Sequence, residues 1–172
     1  IAAPTSHGKT AFAINMMTRA ARAGLKTSYN AYEDWTIIPR KFASHAFQVP
    51  LEWFMKYNVV GHGEREKVDE ALMLCRQYDN IDVYPELTMS EWEHEIKDKK
   101  PDLLVLDYAQ RYVECNGTGD KRGDIGSLAA NFETLCKRVG SYGILVSQCV
   151  IIFIRFNMDN NLIGSSVASI EA

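Results

Sequence analysis

The chain has 172 residues, 47% of them hydrophobic and 24% charged, with a formal net charge of −3, which suits one globular domain with a sizeable core. That charge gives no support for a large nucleic-acid surface, though a basic patch can be local, and no run reads as a membrane span or a signal peptide. The four cysteines, Cys75, Cys115, Cys136 and Cys149, form no C-x-x-C pair, so neither zinc nor a disulfide framework is indicated and a reducing cytoplasm is expected.

The first ten residues carry the strongest signal. Ala3-Pro4-Thr5-Ser6-His7-Gly8-Lys9-Thr10 follows the end of a strand and opens a helix. It reads as a P-loop in which alanine replaces the usual first glycine. Gly8 lets the backbone approach a phosphate, and the amides of His7 to Thr10 can form a nest for oxygens. The helix beginning at Lys9 adds its positive end. Lys9 supplies charge for the outer phosphates, and the Thr10 hydroxyl is placed for Mg²⁺. Only Ile1 to Ala3 stand where such a strand runs about five residues, so the chain is expected to be a piece of a longer protein.

Residues 9 to 23 read as a helix closed by Gly24 at C′. Residues 26 to 32 read as a strand running directly into Glu33-Asp34. Residues 35 to 47 are expected to be helical with Pro39 early, and 50 to 57 a short helix with Pro50 at N1. Gly61 to Gly63 reads as a turn. Residues 64 to 78 read as a helix with Val68, Ala71, Leu72 and Cys75 on one stripe. Residues 81 to 84 read as a strand, and Ser90 with Glu93 has the spacing of a capping box.

Asp102 to Tyr108 contains four consecutive apolar residues ending in Asp107. That pattern describes a strand buried on both faces, with a carboxylate at the end where open α/β sheets bind ligands. It matches a Walker B strand, with Asp107 holding Mg²⁺ through water. Residues 111 to 124 are rich in Gly, Asn and Asp and read as a long mobile loop. Residues 125 to 139 read as a helix and 143 to 148 as a buried strand with a polar end, Ser147-Gln148. A further strand over Val150 to Phe156, or a foreign end, are both open. Alternating strands and helices predict an α/β fold: three layers, a mostly parallel twisted sheet with helices on both faces, in one domain over 1–172.

A nucleotide triphosphatase needs a carboxylate that polarises the attacking water. Glu33 fits because it follows a strand directly, with Asp34 as the fallback. Gln148 can contact the terminal phosphate from its strand end.

These segments resemble DnaB-type replicative helicases. A-A-P-T-S-H-G-K-T-A-F-A-I-N is similar to their A-x-P-x-x-G-K-T-A-F-A-L-N, L-L-V-L-D-Y-A-Q to L-I-V-I-D-Y-L-Q, and I-L-V-S-Q to V-I-A-L-S-Q. D-K-R-G-D-I-G-S-L-A-A-N-F-E-T-L-C-K-R-V and I-D-V-Y-P-E-L-T-M-S-E-W-E-H-E-I also match segments of that family, in the family order, over residues 1 to 148. The resemblance implies a RecA-like core, a hexameric ring and ATP-driven translocation on single-stranded DNA in a bacterial or phage-infected cell, with a primase or helicase loader as a further partner. It implies ATP binding by the loop from Ala3 to Thr10, with Lys9 and Thr10 on the phosphates. It implies catalysis by Glu33, Mg²⁺ at Thr10 and Asp107, and phosphate sensing by Gln148. It also turns the 111–124 loop toward a central channel, where Lys121 and Arg122 would meet DNA phosphates. Two departures stand out. The family's S-L-E-M-S is N-A-Y-E-D-W here, and the tail after Gln148 does not follow the family pattern, so no arginine finger is assigned and Arg155 is a trans-acting residue only by default. A RecA/KaiC-like ATPase of recombination or regulation, and a non-catalytic nucleotide-binding fragment, are the alternatives.

Overall fold

The computed structural model describes residues 8 to 147 and 151 to 154. Its centre is a five-stranded sheet made of β1 (Thr27–Ala31), β2 (Ile81–Pro85), β3 (Leu103–Asp107), β4 (Tyr142–Val146) and β5 (Ile151–Ile154), in the order β2-β1-β3-β4-β5. The first four run parallel and β5 pairs antiparallel with β4. Every residue of β1 and β3 is buried, as befits strands covered on both faces; β3 shows it in a continuous apolar run, while β1 buries the polar Thr27, Ser28 and Asn30 as well.

The helices are α1 (Lys9–Arg22), α2 (Ile38–Phe47), α3 (Leu51–Met55), α4 (His62–Cys75), α5 (Met89–Ile96), α6 (Ala109–Asn116) and α7 (Lys121–Val139). They lie in two layers, because alternate strand residues face opposite ways. Tyr29, Ala31, Val105 and Val146 meet Ile14 and Met17 of α1 and Phe42 of α2 on one face. Leu104, Leu106 and Leu145 meet Trp92 of α5, Val113 of α6 and Phe132 of α7 on the other. Residues of α2, α3 and α4 form a satellite cluster around Phe54 and Val68. This is the expected three-layer, mostly parallel α/β fold.

Buried polar groups on the second face are matched. The indole Nε1 of Trp92 donates to Ser28 Oγ at 2.7 Å, and the ring stacks on Phe132. Asn30 bonds both backbone groups of Leu87, donating at 2.7 Å and accepting at 3.0 Å. Gly143 is required where α7 crosses β4: a Cβ there would stand 2.6 Å from Cys136 Sγ and 2.8 Å from Phe132 Cε1.

Several local expectations change. Trp35–Ile37 is a 3₁₀ turn and α2 begins only at Ile38, with Pro39 in its first turn. Pro50 is the N-cap of α3, not N1. The helix α4 starts at His62, inside the expected turn, and Leu72 is exposed because the buried stripe is only Val68 and Ala71. The capping box of α5 is Thr88 with Glu91, two residues before the Ser90–Glu93 spacing, because the Thr88 hydroxyl accepts from the Glu91 amide at 3.3 Å and Glu91 Oε2 accepts from the Thr88 amide at 2.9 Å.

The largest correction concerns residues 111 to 124. They are not a long loop: α6 runs to Asn116, α7 starts at Lys121, and only Gly117 to Asp120 lie between. The polar residues that suggested a loop are caps. Asp120 accepts from the Gly123 amide at 3.3 Å, and Asp124 accepts from the amides of Thr118 and Gly119 at 2.8 and 3.1 Å.

Candidate functional site

The pairing register brings three chain segments to one level. Asp107 of β3 stands opposite Ala31 of β1 on one side and Val146 of β4 on the other, at the carboxyl ends of all three strands. Glu33, Tyr108 and Ser147 follow closely, at the edge where open α/β sheets bind ligands.

The helix α1 opens beside this edge. Gly8 is its N-cap at φ 83°, a left-handed conformation that glycine adopts without strain. No acidic residue lies in the first turn of α1, so nothing on the helix itself offsets its positive end. A cleft of about 660 Å³ runs from this terminus across the strand ends. Gly8, Lys9, Thr10, Glu33 and Asp107 all line it, joined by Lys41, Ser44, His45 and Gln48 from α2 and its cap and by Tyr108. Five of the residues expected at the site therefore share one cavity. Asp34 instead caps the 3₁₀ turn, accepting from the Thr36 amide at 3.0 Å.

Asp107 is almost fully buried, at 3% exposure. Burial pushes its carboxyl above the usual range; hydrogen bonds from Tyr29 and Thr10, and the nearby charges of Lys41 and Lys9, pull the other way. The Tyr29 hydroxyl donates to Asp107 Oδ2 at 2.5 Å. Burial first, then the Asp107 charge, lifts the Tyr29 phenol well above its ordinary range.

Thr10 and Asp107 are hard oxygen donors in mutual hydrogen-bond contact. Among the described residues no three His, Cys, Asp or Glu side chains converge as a metal cage. An oxygen pair of this kind suits a cation such as Mg²⁺, which keeps waters and phosphate oxygens as most of its ligands.

Tyr32, next to Glu33, is tied to its surroundings. Its amide donates to the Asp107 carbonyl at 2.6 Å, its hydroxyl donates to the Leu87 carbonyl at 2.7 Å and accepts from Asn116 Nδ2 at 3.1 Å. Gln110 of α6 donates to the buried Ser147 hydroxyl at 2.7 Å.

Ala3 to His7, Gln148 and Arg155 lie outside the described residues. Lys121 and Arg122 are the first two residues of α7, a helix that packs on the face of the sheet away from α1. Tyr29, Lys41 and Tyr108 were missed from the sequence. Tyr29 shares the strand face of Ala31, which period-2 alternation along β1 could have flagged.

No protein-family model and no curated protein matches the chain. Among solved structures it is similar to one described as an ATPase domain, at 15% identity and a TM-score of 0.72, over 85% of this chain and 55% of that one. It is equally similar, at 15% identity and a TM-score of 0.72, to a DnaB-like replicative helicase described with its interactions with primase, over 85% of this chain and 37% of that one. The likeness is one of fold: a mostly parallel α/β sheet with helices on both faces, shared with these two structures. The chain spans about half of one of these proteins and a little over a third of the other.

Proposed function

We propose that this chain is one ATPase domain of a replicative DNA helicase motor, in which hydrolysis of Mg·ATP drives movement along single-stranded DNA. One observation carries the reading: Lys9, Thr10, Glu33 and Asp107, from three separate chain segments, line one cleft at the carboxyl edge of the sheet. In this reading the α1 amides and Lys9 bind and orient the triphosphate, and Lys41 adds a second positive charge from α2. Thr10 and Asp107 would hold Mg²⁺, the hydroxyl directly and the carboxylate through water. Bound there, the cation would draw charge from the phosphate oxygens. Glu33 follows a strand whose end is pinned through Tyr32, so its carboxylate can orient a water in line with the terminal phosphate and take up its proton.

Gln148 as phosphate sensor and Lys121 and Arg122 as DNA contacts belong to the same proposal. So do a hexameric ring, a neighbour-supplied arginine and a primase partner of the kind named for one of the similar structures.

The test is ATP hydrolysis with and without single-stranded DNA, at several protein concentrations, with Glu33→Gln alongside. Turnover that rises with both concentration and DNA, and falls by about a hundredfold or more in the variant, is expected. Nucleotide binding without turnover under every condition would favour a non-catalytic nucleotide-binding module instead.

A further inference from the structure

Tyr29 is a fully buried tyrosine whose hydroxyl reaches into the cleft's chemistry. It stands on β1 opposite Val105, while Asp107 stands opposite Ala31. The phenol thus reaches diagonally, one pair further along the same face, to the end of β3. Its oxygen is 2.5 Å from Asp107 Oδ2. Tyr29 is 0% exposed. A phenylalanine would fill the same space without the cost of burying a hydroxyl, so the hydroxyl is matched to the carboxylate and not to the packing.

We propose that Tyr29 is a positioning residue for divalent-cation binding: its hydrogen bond fixes the Asp107 carboxylate in one orientation and leaves the remaining lone pairs for Thr10 and for the water of a bound cation. This rests on the metal–nucleotide reading of the cleft. The choice of donor matters. Lys9 and Lys41 attract Asp107 through their charges, but attraction alone does not fix a rotamer. A cationic donor in direct contact would also cancel the negative charge that a metal needs. A neutral phenol orients the carboxylate and leaves that charge in place.

The experiment compares wild type, Tyr29→Phe, Asp107→Asn and the double variant. Mn²⁺ uptake with nucleotide is followed by electron paramagnetic resonance, nucleotide affinity in EDTA by fluorescent-nucleotide titration, and folding by thermal unfolding. Tyr29→Phe is expected to weaken Mn²⁺ uptake by about tenfold, with metal-free nucleotide affinity unchanged. In the Asp107→Asn background the same substitution should change nothing further. Unaltered Mn²⁺ affinity in Tyr29→Phe, or an equal loss in both backgrounds, overturns the assignment and leaves Tyr29 a packing residue. Wild-type protein that takes up no Mn²⁺–nucleotide, or Lys9→Ala that binds nucleotide as wild type does, overturns the reading of the cleft itself and this proposal with it.

Discussion

Lys9 enters the cleft from the first turn of α1, where the helix terminus and the side chain add their positive charge at the same place. In the proposed reading, removing the side chain would take away one partner of a charged pair with phosphate, which costs about 2 kcal/mol or more. Lys9→Ala is therefore expected to weaken nucleotide binding by about thirtyfold or more, measured by fluorescent-nucleotide titration; an unchanged affinity would remove the phosphate role. That Lys9, Thr10 and Asp107 meet at one cleft was legible in the sequence, because local order alone, loop then helix or apolar run then aspartate, points to the carboxyl edge of a sheet. Glu33 was legible for the same reason. Tyr29 was not, because its meaning depends on a partner 78 residues away and on the register between β1 and β3. Lys41 was not, because a lysine on a helix reads as solvated until the helix is known to wall a cavity.

At the scale of elements, the expected bounds of the four parallel strands lie within two residues of the observed ones, and the buried apolar runs of β3 and β4 are the clearest of these signals. The stretch after Asp107 failed for a physical reason. Gly, Asn and Asp end helices as readily as they fill loops, so two helices joined by the short turn Gly117 to Asp120 carry the composition of one long loop. The contact of α7 with β4 supplies a sharper test. A methyl group at Gly143 would press on both Cys136 and Phe132, neither of which is free to move in a full core. Gly143→Ala is expected to destabilise the fold by about 1–3 kcal/mol, read from the urea midpoint at constant slope. A midpoint within error of wild type would show that α7 can lift from the sheet.

For the molecule as a whole, burial of neutral titratable groups sets its behaviour in alkali. Burial lifts the Cys75 thiol to about 11 and Cys136 to about 12, and raises the phenols of Tyr29 and Tyr32 above their ordinary range. In the unfolded chain these groups ionise near 9.0 for cysteine and 10.0 for tyrosine. Above about pH 9 the unfolded state therefore holds fewer protons than the folded one, and stability falls as pH rises. Below that pH the contribution is fully present. Urea midpoints should hold up to about pH 9 and drop from there through about pH 11; a flat profile over that range would contradict the burial. The same burial orders thiol reactivity. Exposed Cys115 is expected to alkylate first in the native protein at about pH 8, half-buried Cys75 more slowly, and buried Cys136 only on unfolding.

Tyr32 directly follows the last residue of β1 and is buried. Its amide is fastened to the last residue of β3, and its hydroxyl is held by the last residue of α6, Asn116. Glu33 is the very next residue. One phenol ring therefore ties the end of α6 to the residue beside Glu33. These two segments, some 84 residues apart in the chain, share that ring as a common anchor.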